Sequence, residues 1–243
     1  MRVGTRRPEL ISICLLCCAL LTLPVSVADN SGHSKDPLDS WLNDFTDAQS
    51  VPQVGKGELV FLAQPPQSRV LHSINNITIT ASSLETGWVQ VDQCYHGLDA
   101  VLQTEVIYRY REMRKLHIRN STNIGQATAR NQSVELTNVM QDASLCIQAE
   151  ARILQQMDDG RFGLRNGPFH RRFLDGYFPL HVEFTVRYPF ELLVFARSVP
   201  ETQPGFTVES KQGLVTIDTW FAGALTIEIQ FRHKKRAPMP AGS

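Results

Sequence analysis

Residues 144–154, SLCIQAEARIL, put Leu145, Ile147, Ala149, Ala151 and Ile153 on one side of an extended chain and Gln148, Glu150 and Arg152 on the other. A period of two is the mark of a strand with one face buried. Residues 88–94, WVQVDQC, alternate in the same way, with Val89 and Val91 opposed to Trp88, Gln90, Asp92 and Cys94. Each stretch carries one cysteine. Cys94 and Cys146 are the two cysteines outside the N-terminal apolar segment. In an exported chain such a pair reads as one disulfide, because oxidising compartments hold it closed. The bridge would close a loop of about 53 residues, for which chain entropy gives about 4 kcal/mol before native-state strain. Cys94 shares its face with Gln90 and Asp92, and Cys146 with Gln148 and Glu150. The bridge is therefore expected to tie neighbouring elements on an outer or partly covered face, not to cross a core between sheets as in immunoglobulin domains.

The expectation of export comes from the N-terminus. Arg2, Arg6 and Arg7 precede an apolar run from Ile11 to Val25, and Ser26-Val27-Ala28 follows. A positive end, a short apolar middle and small residues at the close form a secretory signal peptide, cleaved here after Ala28. The apolar run is too short to span a bilayer comfortably, and no second run reaches that length, so no transmembrane helix is expected after cleavage. Cleavage leaves 21 Lys and Arg against 23 Asp and Glu. Four of those cations, Arg232, Lys234, Lys235 and Arg236, sit at the C-terminal end. A mildly acidic body with a cationic tail is not a nucleic-acid binder, which would carry a basic face.

Outward from the two cysteines the same alternation recurs. Glu58–Ala63, Asn76–Ala81, Glu105–Arg111 with a continuation to Ile118, Ser133–Val139, Val182–Tyr188, Phe206–Glu209, Leu214–Phe221 and Leu225–Arg232 all read as strands. Leu98–Leu116 also fits a helical spacing, and its Thr-Glu-Val-Ile-Tyr-Arg-Tyr core favours strand on propensity. Phe190–Arg197 is apolar on both faces and reads as an interior strand. About ten strands without a βαβ rhythm imply an all-β fold, an antiparallel β-sandwich or partly open barrel. Asp36-Pro37 opens a short N-terminal helix with Leu38, Trp41, Leu42 and Phe45 on one stripe. The expected organisation is a signal peptide at 1–28, a disordered segment and short helix at 29–57, the β-domain at 58–232, and a basic disordered tail at 233–243.

One stretch stands apart. Residues 155–180 form a long connection for a compact β domain, and such loops tend to carry function. Gly167-Pro168 and Gly176 suggest a short helix with Phe169, Phe173 and Tyr177 on one side. Aromatics beside Arg171 and Arg172, with Asp175, are the residue types that anchor binding surfaces. Phe169, Arg171, Arg172, Phe173, Asp175 and Tyr177 are therefore the candidate binding residues, for an envelope protein or a surface polysaccharide.

Catalytic signatures are missing. No His-Glu-x-x-His helix, phosphate-binding glycine loop, Gly-x-Ser-x-Gly elbow or Cys-x-x-Cys pair is present, so no metal and no cofactor are expected. Asp92, His96, Asp99 and Glu105 are the carboxylates and imidazole that a hydrolase acting on a wall or surface polymer would use, provided they converge on one cleft. Asn76, Asn120 and Asn131 each begin a glycosylation sequon. The expected function is that of an exported, non-catalytic binding or assembly protein of the cell envelope, periplasmic or extracellular.

Overall fold

The computed structural model describes residues 57–173 and 176–234. The expected signal peptide, the helix after Asp36 and residues 235–243 lie outside them, as do Asp175 and the side chain of Phe173. The described chain runs β1 (Val60–Phe61), β2 (Leu71–Thr78), α1 (Ser83–Thr86), β3 (Trp88–Leu98), β4 (Val101–Ile107), β5 (Met113–Arg130), β6 (Ser133–Arg152) and β7 (Leu154–Gln156). It continues with β8 (Phe162–Phe169), β9 (Arg171–Phe173), β10 (Gly176–Phe178), β11 (Leu180–Arg187), β12 (Leu193–Val199), β13 (Phe206–Lys211), β14 (Leu214–Ala222) and β15 (Leu225–His233). No helix among the described residues is long and apolar enough to cross a membrane.

The strands form two principal sheets. The larger has nine strands along the path β1-β14-β11-β2-β3-β6-β4, with β13 added to β14 and β5 to β6. The smaller follows β12-β15-β8-β7, and β9 and β10 make a separate hairpin. All pairs are antiparallel except β2 with β11. Neither sheet closes into a barrel.

The two sheets bury one apolar layer between them. Ile77, Val91, Phe184 and Val186 from the large sheet share a cluster with Leu164, Leu225, Ile229 and Phe231 from the small one. Each such side chain contributes about 1.5–3 kcal/mol on burial. The in-facing sets read from periodicity in β6, β11 and β15 are those found inside. Val106, Tyr108 and Tyr110 turn inward while Glu105, Ile107, Arg109 and Arg111 are exposed, as alternation requires. A second cluster, built on Leu136, Leu145 and Ile147, lies under the long β5–β6 hairpin. Three register shifts in β5 and positive φ at Lys115, Asn123, Asn138 and Asp142 mark where this ribbon bends.

Cys94 and Cys146 are bonded, with Cα atoms 4.1 Å apart. They are register partners in the adjacent strands β3 and β6, and both are half-buried. The bridge ties neighbours on the outward face, as the polar company of both cysteines implied.

Several expectations are corrected. Ser133–Val139 and Ser144–Leu154 are not separate strands; β6 runs unbroken from Ser133 to Arg152, and Leu154 begins β7. Phe190–Arg197 is not interior. Its strand, β12, is an edge of the small sheet, paired on one side with β15, and Val194 and Val199 are exposed. Apolar residues on both faces marked an edge here because the outer face carries no covering layer. The stretch 155–180 is mostly regular: β8 enters the small sheet and β9–β10 form a hairpin. The helix expected after Gly167-Pro168 does not form, because Phe169 pairs with Leu225 as the end of β8. The one described helix, α1, joins β2 to β3 and was not expected. Its end needs a glycine: Gly87 has φ 76°, and a Cβ there would stand 2.8 Å from the Leu154 carbonyl oxygen.

Candidate functional site

Alternation along β2 and β3 places Ser73, Asn75, Gln93 and Tyr95 on the inward face, in line with Ile77, Val89 and Val91. The core layer thus turns polar at one end of the sandwich. There the sheets part and leave a cleft of about 750 Å³. Its walls come from β2, β3 and β4, from the Tyr108–Tyr110 segment, and from the end of β8 with the β9–β10 hairpin.

The polar groups on this inward face are knitted together. Gln93 Nε2 donates to Asn75 Oδ1 at 2.5 Å and to Ser73 Oγ at 3.3 Å. Asn75 Nδ2 donates to the Glu183 carbonyl oxygen at 3.2 Å. Tyr110 donates its hydroxyl to Asn166 Oδ1 at 3.0 Å, and the same oxygen accepts the Gly167 N–H at 2.9 Å. After these bonds two buried atoms of cleft-lining residues have no partner, Gln93 Oε1 and Asn166 Nδ2, and the buried Tyr108 hydroxyl meets only that of Tyr95. A buried polar atom left unpaired costs about 1–3 kcal/mol. Together the three offer an acceptor, a hydroxyl and an amide donor. None is charged.

The phenols stay neutral as well. Burial, then Tyr110, pushes Tyr95 up against the opposing pull of its hydrogen bond with Tyr108, and burial, then Tyr95 and Tyr110, pushes Tyr108 up. Burial moves Tyr110 up to about 12, against the opposing pull of its bond to Asn166. Tyr108 and Tyr110 stack with ring centroids 6.4 Å apart. Aromatic faces beside neutral donors and acceptors suit a ligand rich in hydroxyl or amide groups.

Charge is kept to the rim. Arg171 grips Asp99 with a fork, Nη2 to Oδ1 at 2.5 Å and Nε to Oδ2 at 3.2 Å. This pair fastens the start of β9 to the turn between β3 and β4, beside the cleft. Arg171 also lies 5.6 Å from the Phe178 ring, and Arg172 lies 5.8 Å from that of Tyr177. His170 packs edge-on to Tyr177 at 6.0 Å, and burial, then Arg109 and Arg172, hold its imidazole below the usual histidine range.

Of the residues singled out in sequence, Phe169, Arg171 and Arg172 line the cleft. Phe169 is buried, part of the core that closes the cleft, while Tyr177 packs within the hairpin and is not on the lining. The four acid–base candidates do not come together. Asp99 and Glu105 line the cleft, but Asp92 points to the outward face, where it bonds Arg119 and Gln148, and His96 is exposed on that same face. The residues that sequence reasoning passed over are Ser73, Gln93, Tyr108 and Asn166. Their signal was present: Gln93 continues the Val89–Val91 face, and Ser73 and Asn75 continue the Ile77–Ile79 face. A polar residue on a face otherwise apolar marks the place where the core opens.

No protein-family model matches the chain, and no curated protein does. Among solved structures it is similar to an M1 zinc metallopeptidase from Deinococcus radiodurans. An E323A mutant bound to a Tyr-Ser-Ala substrate shows 12% identity and a TM-score of 0.35, over 66% of this chain and 43% of that one. An E323A mutant of the enzyme matches at 14% identity and a TM-score of 0.37, over 66% of this chain and 42% of that one. The chain spans less than half the length of these structures, and a likeness of this size carries no argument about its activity.

Proposed function

We propose that the protein is an exported, non-catalytic binding module of the cell envelope, and that the cleft between its sheets holds a neutral, hydroxyl- and amide-rich ligand of the surface-polysaccharide class. The observation that carries this reading is the set of buried atoms with bonding capacity to spare on the residues of one cleft: Gln93 Oε1 and Asn166 Nδ2, which have no partner, and the Tyr108 hydroxyl beside Tyr95. A saccharide with hydroxyl and acetamido groups supplies a donor to the first, an acceptor to the second and either role to the third. Its apolar ring faces rest on tyrosine. Export is supported by the order of residues 1–28 and by a disulfide on a half-exposed face. Asp92 and His96 face away from the cleft that Asp99 and Glu105 line, and Asp99 is held by Arg171, which favours holding a ligand over cleaving it.

The test is a titration of the purified protein with soluble oligosaccharides, neutral, N-acetylated and acidic, read by intrinsic fluorescence. At least one neutral or N-acetylated member is expected to saturate. Tyr108→Phe, which removes one hydroxyl and keeps the ring, and Gln93→Met are each expected to weaken it about tenfold, the worth of one well-made hydrogen bond. Binding that ignores both substitutions, or a panel in which no saccharide saturates, overturns the proposal.

A further inference from the structure

The opposite face of the same strands carries a second constellation. β2 and β11 run parallel, with His72 in register with His181; His72 is also in register with His96 of β3, and His181 with Trp220 of β14. Four rings therefore form one row across four strands. His181 stacks on Trp220 at 3.9 Å and on His72 at 4.1 Å. Two residues along the strands, on the same outward face, Glu183 and Asp218 are register partners. The result is a skewed group, two imidazoles on one row and two carboxylates on the next, displaced by one strand.

From this arrangement we infer that His72, His181 and Glu183 form a binding site for a divalent transition-metal ion of the zinc class. Their ligand atoms all lie within 4.8 Å of one another, and they are the only group of three among the described residues to do so. His72 Nε2 is 2.9 Å from Glu183 Oε1 and shielded from solvent, so the imidazole and the carboxylate already converge. Asp218 Oδ1 sits 2.6 Å from His181 Nε2, a carboxylate that fixes the ring in the manner of outer carboxylates at zinc–histidine sites.

The chemistry selects the ion. Two imidazoles and a carboxylate suit zinc, copper(II) or nickel(II), not calcium or magnesium, which take oxygen alone. Rigidity comes from the sheet, whose fixed register holds all three donors; His72 and His181 stack with planes 15° apart, so one ring must turn about its side-chain bonds to bring its lone pair onto the shared ion. Three protein ligands leave a position open toward solvent, since Asp218 and His96 border the group on an exposed face. No motif announces this site in the sequence, because His72 and His181 are brought together only by the parallel pairing of β2 with β11.

The test uses the full chain with Cys14, Cys17 and Cys18 alkylated, so that these thiols cannot bind metal, and stripped with a chelator. Titration with zinc chloride by calorimetry is expected to show one ion per chain. His72→Ala and Glu183→Gln should each weaken binding by tenfold or more, whereas His117→Ala, an exposed histidine on β5, should leave it unchanged. Cobalt(II) added in place of zinc should develop visible absorption in the parent and not in the first two variants. Circular dichroism keeps the reading clean: a variant that retains its β spectrum yet loses the ion supports the site. If zinc does not saturate at one per chain, or if folded His72→Ala and Glu183→Gln bind it as the parent does, the carboxylates and imidazoles are ion pairs on a sheet surface and the inference fails. Calcium chloride, run in parallel, should give no heat; saturation by calcium at zinc-like affinity would equally overturn it.

Discussion

Tyr95, Tyr108 and Tyr110 show how much of this protein's behaviour rests on single side chains. All three phenols are raised by burial, Tyr110 to about 12 and the other two further. The unfolded chain ionises its tyrosines near pH 10. The folded state therefore binds more protons than the unfolded state above that pH, and stability falls as pH rises. The contribution is whole below about pH 10 and is lost progressively above it. Three of the five tyrosines should resist alkaline ionisation until the protein unfolds. Ultraviolet difference absorbance against pH, alongside circular dichroism, checks this: ionisation of all five before any loss of β signal would contradict it. At the same scale, Asn166 makes two hydrogen bonds with one amide oxygen and leaves Nδ2 idle. Asn166→Leu breaks both bonds and should destabilise the fold by about 1–3 kcal/mol in denaturant titration. It is a poorer probe of the cleft than Tyr108→Phe for that reason.

Between residue and molecule stand the elements that hold the cleft in shape. The disulfide joins β3 to β6 over a sequence separation of 52. Its removal in the Cys94→Ser, Cys146→Ser double variant should cost about 4 kcal/mol and lower Tm by roughly 10 °C in calorimetry. A shift of only about 1 °C would mean that strand pairing alone holds these elements. The β9–β10 hairpin depends on less. Its ion pair to Asp99 is largely solvent-exposed on the carboxylate side, so Arg171→Ala should leave Tm nearly unchanged. It should, however, speed chymotryptic cleavage after Tyr177, since the strap would then be loose; equal cleavage rates in parent and variant would refute that role. Gly87, which ends α1 with a left-handed φ of 76° against the Leu154 carbonyl, should not accept alanine without a loss of about 1–3 kcal/mol.

For the molecule as a whole, the proposal of export makes a direct prediction: N-terminal sequencing of protein recovered outside the cytoplasm should begin at Asp29, and residues before it would refute cleavage after Ala28. The periodicities in β3, β6, β11 and β15 were sufficient to read the sandwich, because a strand half in the core must alternate, and a one-residue slip would turn every side chain to the wrong side. The candidate binding residues were only partly legible. Phe169, Arg171 and Arg172 do reach the cleft, but through a strand end and a hairpin instead of a helix, since Gly-Pro signals a break in the chain without specifying the conformation beyond it.

Outside 155–180 and the edge strand β12, local order is what the sequence by itself determined: which stretches are extended, which side of each faces inward, that Cys94 and Cys146 pair, and that they do so on the outward side. These follow from contacts between near neighbours and from a period of two. Which strand lies beside which was decided only in three dimensions. The parallel pairing of β2 with β11 joins residues more than a hundred positions apart, and from it comes the stacking of His72 on His181. Backbone hydrogen bonds that build a sheet are the same for every residue type, so no pattern within one strand names its partner; the choice is made by the fit of whole faces in the core.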